Sequence, residues 1–306
     1  MQPSHLLPKD QGILQKRIEA IRELLTECRL CPRHCGVNRI QDEKGFCRSG
    51  SQPIVSSCNT HFGEERPLVG QRGSGTIFFT YCNLGCVFCQ NSDISHLGQG
   101  EIHSTSQLAA LMLMLQRHGC HNINFVTPTH FVPQILEALP EAIGQGLNLP
   151  LVYNCGGYES LETLQLLEGI FDIYMPDFKF VDSEAAGEYC AAPDYPETAK
   201  AALKEMHRQV GDLEMDEEGI AHRGLLVRHL VLPHSLAGTR KVVAFLADEL
   251  SRNTYVNIMD QYRPCYQAYR YSPLNRRISQ AEFQEAIRLA REAGLHRLDR
   301  FDFVEY

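Results

Sequence analysis

Short apolar runs alternate with longer amphipathic ones from residue 76 to residue 293, and this constrains the fold more than any other feature of the 306-residue chain. The runs at 76–81, 122–127, 150–154, 171–175, 224–232 and 254–260 read as strands. The stretches near 105–118, 132–145, 159–168, 195–210, 238–250 and 279–293 read as helices. The strands are short and apolar on both faces, as parallel strands covered by helices tend to be. Such alternation implies βα units on a parallel sheet. Periodicity alone admits either an incompletely closed (β/α)6 barrel or a doubly wound open sheet. In both, functional groups gather beyond the C-terminal ends of the strands.

The first strand delivers Tyr81-Cys82-Asn83-Leu84-Gly85-Cys86-Val87-Phe88-Cys89-Gln90-Asn91. Cys82, Cys86 and Cys89 stand in a C-x3-C-x2-C spacing. Closely spaced cysteines let one loop hold several corners of an iron–sulfur cluster. Three thiolates leave the fourth iron of a cubane open, and an open coordination position suggests chemistry. A zinc knuckle is the bland alternative, yet it needs a fourth ligand and none is obvious before His96.

On these residues the chain resembles the radical S-adenosylmethionine (SAM) superfamily. The resemblance implies a [4Fe–4S] cluster on Cys82, Cys86 and Cys89, with SAM on the fourth iron. Reductive cleavage of SAM would then give methionine and a 5′-deoxyadenosyl radical that abstracts hydrogen. It also implies the partial (β/α)6 barrel of TIM type. The wording from Cys28-x2-Cys31-Pro32-Arg33 through His61-Phe62-Gly63-Glu64-Glu65, Cys89-Gln90-Asn91, Thr127-Pro128-Thr129-His130-Phe131 and Tyr262-Arg263-Pro264 resembles an uncharacterised branch. That branch is related to pyruvate formate-lyase activating enzymes, and it implies a low-potential electron donor, flavodoxin or ferredoxin.

The other strand ends carry polar groups. Strand two ends in Thr127, Thr129 and His130, strand three in Asn154 and Cys155, strand four in Asp177 and Lys179, and strand five carries Arg228. A cap or turn role is the default for each taken singly. Alternation puts Asp177 and Lys179 on one face, where they can form a rim salt bridge or hold a polar cofactor. The family resemblance favours the cofactor, since activating enzymes carry a similar Asp-x-Lys here and an arginine at the place of Arg228. Thr127, Thr129, His130 and Asn154 are expected at the same cofactor. The chain departs from the family at 127–130, where a Gly-Gly-Glu run is usual, and at 261–263, where many activating enzymes carry a histidine. Cys155 could donate a hydrogen atom, although a small residue in a tight turn explains it more simply.

Residues 1–70 read as a helical, cysteine-rich N-terminal extension, and 71–306 as the barrel. An amphipathic helix from Gln11 to about Cys28 runs into Cys28, Cys31 and Cys35, with Cys47 and then Cys58 further on. The ligand types of Cys28, Cys31, Cys35 and Cys47 fit a structural zinc or a second iron–sulfur cluster. The Glu64-Glu65 pair could position a substrate, although a solvated charged loop is the simpler reading, and Cys120, Cys190 and Cys265 read as packed thiols.

The net charge of −8 gives no general attraction for nucleic acid or an anionic membrane. No signal peptide or membrane-length run is visible, so the twelve cysteines read as ligands or reduced thiols of a cytoplasmic protein. Three functions are weighed: radical SAM activation of a glycyl-radical enzyme, radical SAM modification of a small molecule or peptide, and a non-catalytic iron–sulfur or zinc protein.

Overall fold

Six parallel strands in unbroken sequential order form the centre of the molecule. The structure is a computed structural model that describes residues 3–6 and 11–299; the polar opening at Met1 and Gln2 lies outside the described residues, as do 7–10 and 300–306. The strands are β1 (Ile54–His61), β2 (Ser74–Phe79), β3 (Glu101–Ile102), β4 (Ile123–Val126), β5 (Leu151–Cys155), β6 (Ile173–Pro176), β7 (Glu214–Met215), β8 (Ala221–Leu230) and β9 (Tyr255–Met259). The helices are α1 (Gln11–Glu23), α2 (Arg66–Val69), α3 (Ser92–Ser95), α4 (Thr105–Arg117), α5 (Val132–Gly144), α6 (Leu161–Leu166), α7 (Ser183–Cys190), α8 (Tyr195–Val210), α9 (Thr239–Phe245) and α10 (Gln280–Glu292).

Parallel pairing runs β2-β4-β5-β6-β8-β9. A doubly wound sheet reverses its strand order at a switch point; this one does not, and the architecture is the partial (β/α)6 barrel. All six expected strands are present. The expected helix at 238–250 is divided, with α9 passing into one wider π-type turn at Leu246–Leu250. The alternation did not reveal α7, which Asp182 caps by accepting from Ala185 N–H.

β1 and β3 add antiparallel strands to the edge of β2. Residues 54–61, expected in the N-terminal extension, are therefore hydrogen-bonded into the barrel sheet. The chain leaving β1 turns into the barrel through α2. Leu68 packs there against Val152, Ile173, Met175, Leu226 and Tyr255, an apolar layer separate from the larger core between sheet and helices. Strand alternation explains what lies above this layer. Two residues on from Val152, Leu226 and Tyr255, the same inward rows present Asn154, Arg228 and Asn257. The barrel is thus stoppered with apolar groups at one end and polar at the other. No helix among the described residues is long and apolar enough to cross a membrane.

Candidate active site

The polar end opens into a cavity of about 380 Å³ whose walls include Cys82, Cys86, Cys89, Asp177, Lys179 and Arg228. The strand ends leave their ladders abruptly. Tyr81 (φ 68°), just before Cys82, and Thr127 (φ 59°), just after β4, adopt the left-handed conformation without being glycine. That conformation is costly for a β-branched residue such as Thr127 and concentrates at functional sites.

The cysteine loop rests on α7, whose last carbonyls take the loop amides. Gly85 N–H donates to the Cys190 carbonyl (3.0 Å) and Val87 N–H to the Tyr189 carbonyl (2.9 Å). On the inner side, Leu84 N–H lies 3.3 Å from Cys82 Sγ, and Cys89 Sγ is 3.1 Å from Ser95 Oγ. Cys190 is not a remote packed thiol: its Sγ is 3.1 Å from Cys86 Sγ, and it is fully buried. Burial and the neighbouring thiols push Cys82 and Cys89 up from the ordinary thiol range. The Cys190 contact and burial do the same to Cys86. Three crowded thiols, Cys86 buried and Cys82 and Cys89 half-buried, resist ionisation unless a cation balances them, which is the condition a bound metal centre supplies. The donor set fits an iron–sulfur cluster.

Asp177 lies between two cations. Its Oδ1 accepts from Arg228 Nε at 2.8 Å and its Oδ2 from Lys179 Nζ. Burial alone would raise its pKa, but Arg228 and Lys179 more than offset this and hold the carboxyl below the usual range. Burial likewise disfavours the Lys179 cation, and Asp177 outweighs it, so Lys179 stays charged. Arg228 also donates through Nη2 to Asn154 Oδ1 (2.7 Å).

Glu64 and Glu65, read from the sequence as solvated, are buried. They enter the cavity from the β1–α2 connection, which crosses the barrel's open side. Glu64 lies 3.7 Å from Arg228, and Glu65 accepts from Asn257 Nδ2 at 2.9 Å. Burial pushes Glu64 up to about 7, against the pull of Arg228. The adjacent carboxylates were visible in the sequence; that they turn inward was not.

The expected cofactor residues divide. Thr127, Asn154, Asp177, Lys179 and Arg228 line the cavity. Thr129 turns away and donates to Glu159 Oε1 (2.8 Å). His130 lies behind the strand, with Nε2 2.8 Å from the Thr80 carbonyl. Cys155 lines the cavity, as Cys120 and Cys265 do not. Cys28, Cys31, Cys35 and Cys47 meet around a second, smaller cavity. Cys58 does not join them; it lies on β1 opposite Ile77.

A cysteine loop faced by paired charges stands at the mouth of a partial (β/α)6 barrel, the end at which barrel enzymes carry their sites. Residues 76–212 match the family model described as "Radical SAM superfamily". Over 293 residues the chain is 34% identical to "Uncharacterized protein MJ0674" of Methanocaldococcus jannaschii, covering 93% of this chain and 80% of that protein. The chain belongs to the radical SAM superfamily, and it is a radical SAM enzyme. Among solved structures it is similar to TYW1 with a lysine-pyruvate adduct bound, at 10% identity and a TM-score of 0.42 over 71% of this chain and 73% of that one. It is also similar to the cobalamin-dependent S-adenosylmethionine radical enzyme OxsB, at 13% identity and a TM-score of 0.40 over 77% and 33%.

Proposed function

We propose that Cys82, Cys86 and Cys89 hold a [4Fe–4S] cluster, and that Asn154, Asp177, Lys179 and Arg228 hold SAM beside it for hydrogen abstraction from a protein. The observation that carries this reading is the convergence of the three thiols with the Asp177–Lys179–Arg228 charge group on one cavity. When bound, the cluster supplies the electron that cleaves SAM to methionine and a 5′-deoxyadenosyl radical. The chain's own residues bind and orient. Lys179 and Arg228 outnumber Asp177 in charge; Glu64 and Glu65 stand against Arg228, and protonation of Glu64 below about pH 7 removes one of these competitors for an anion such as SAM's carboxylate. Thr127 borders the same cavity. The apolar layer around Leu68 fills the barrel below the cavity.

The substrate favoured is a glycyl-radical enzyme docked over the cysteine loop. Leu97, which follows α3, and Tyr269 are each 68% exposed, and Tyr266 stacks on His96 at 4.4 Å. Gln267 N–H, two residues from Tyr269, donates to the Val87 carbonyl, which places these apolar groups beside the loop. A small molecule or peptide is the second reading, favoured by the reach of the cavity down to Glu64 and Glu65. The electron donor proposed is flavodoxin or ferredoxin, and the compartment the cytoplasm. Cys28, Cys31, Cys35 and Cys47 are read as ligands of a further metal, zinc or a second cluster.

The test is anaerobic reconstitution with iron and sulfide, followed by SAM and dithionite. Methionine and 5′-deoxyadenosine are expected in equal amounts, and Cys89→Ala should make neither. Wild type with a verified cluster that yields no product would return the protein to the non-catalytic class.

A further inference from the structure

Cys28, Cys31, Cys35 and Cys47 take no part in the proposed reaction, yet they line one small cavity with Arg39, Gly45 and His130. Backbone pairing folds the segment on itself: Cys28 N–H donates to the Val37 carbonyl (2.8 Å) and Gly36 N–H to the Cys28 carbonyl (3.0 Å). Gly45 lets the second arm close, because a Cβ there would lie 2.8 Å from both Cβ and Sγ of Cys35. Phe46 N–H then sits 3.4 Å from Cys35 Sγ, the kind of amide-to-sulfur hydrogen bond that tunes thiolate-held clusters.

Two buried polar atoms of the cavity's residues have no hydrogen-bond partner among the described residues. Arg39, 1% exposed, spends Nη2 on the carbonyls of Gly50 (3.0 Å) and His130 (2.8 Å), and its Nε–H is left over. His130, also 1% exposed, faces the Thr80 carbonyl with Nε2; a carbonyl only accepts, so Nε2 carries the proton and Nδ1 a free lone pair. Buried polar groups without partners are costly. A centre of inorganic sulfide and iron offers an acceptor for the first.

Zinc gathers its thiolates on one atom, whereas a cluster seats them on separate irons. The unpartnered Nε–H of buried Arg39 calls for an acceptor, and inorganic sulfide is one that a cluster brings and a zinc ion does not. We propose that Cys28, Cys31, Cys35 and Cys47 hold a second iron–sulfur cluster, bordered by Arg39 and His130 and packed against the back of the catalytic loop. This rests on reading the four cysteines as metal ligands. Arg33 makes the connection: its Nε donates to the Asn83 carbonyl (2.9 Å), and its guanidinium lies 3.8 Å above the Phe46 ring.

The experiment is metal and sulfide analysis, with electron paramagnetic resonance after dithionite, of a Cys82→Ala/Cys86→Ala/Cys89→Ala variant. It is purified anaerobically and reconstituted with ferrous iron, sulfide and zinc together. Iron and sulfide should fall but persist, and adding Cys31→Ala should lower the remainder at least fivefold with far-ultraviolet circular dichroism unchanged. Zinc in place of iron would overturn the cluster and leave the ligand reading standing. No bound metal would overturn both. Neither result touches the first cluster, whose ligands the variant lacks. Should the variant not fold, iron in the wild type decides: more than about four atoms per chain is expected, since one cubane accounts for four, and four or fewer would overturn the second cluster.

Discussion

Asp177 shows how much of this site is electrostatic arrangement. Both carboxylate oxygens are taken, one by Arg228 and one by Lys179, so its first effect is to fix two cations that would otherwise repel. Asp177→Asn is expected to weaken SAM binding about tenfold or more, the scale of a lost charge-assisted contact, with the cluster's absorption unchanged; equilibrium dialysis of the reconstituted protein measures this. Glu64 adds a pH dependence. Its carboxyl, raised to about 7 by burial, is neutral below that pH and cancels a neighbouring cation above it. Affinity for SAM's carboxylate should therefore fall as pH rises from about 6 to about 8, and Glu64→Gln should flatten the profile. The Cys86–Cys190 contact predicts a residual cluster in Cys86→Ala, with Cys190 as the substitute ligand. The double variant Cys86→Ala/Cys190→Ala should hold less iron than the single one.

At the scale of elements, the strand ends approach each other more closely than most side chains allow. Gly157, at φ 79°, sits where a Cβ would fall 2.2 Å from the Asp177 carbonyl, so the chain leaving β5 can lie against the end of β6 only as glycine. Gly157→Ala should cost on the order of 2–4 kcal/mol by urea denaturation, and it should weaken SAM binding by displacing Asp177. Next to it, Glu159 accepts from Thr129 and from Tyr153 Oη (2.9 Å) while almost wholly buried. Burial raises it to about 7, above the ordinary carboxylate range. Across that interval the folded chain holds a proton that the unfolded chain has lost, so this carboxyl makes stability fall as pH rises through it. Glu159→Gln should remove that fall, as melting temperatures at about pH 5 and about pH 8 would show. Buried His229, held near 4 by burial against a hydrogen bond to the Phe178 carbonyl and the charge of Asp177, acts in the opposite sense: its contribution is lost as pH drops from about 6.5 toward 4.

Across the whole molecule, the six parallel strands and their helices were legible because each repeats one local rule: an apolar run buried on both faces, then an amphipathic stretch that covers it. The thiol spacing at residues 82–89 was legible for the same reason, being contained in one loop. Strand-end position brought Asp177, Lys179 and Arg228 forward, alternation put Asp177 and Lys179 on one face, and the family resemblance directed all three to the cofactor. The rest depended on groups distant in the chain. Nothing local indicates that Glu64 and Glu65 turn through the barrel's open side to meet Arg228 and Asn257, or that α7 brings Cys190 beside Cys86. Thr129 and His130 share a strand end with Thr127, yet the 3-10 turn at Thr129–Phe131 swings them behind the sheet. Periodicity and spacing thus determined the strand–helix units and the cysteine loop, since both depend on neighbours within a few residues, whereas the strand order that makes them a partial barrel is tertiary. Tertiary packing alone decided which carboxylates are buried, which thiols meet and which strand-end residues face the cavity, because burial and proximity arise only once the sheet has closed around them.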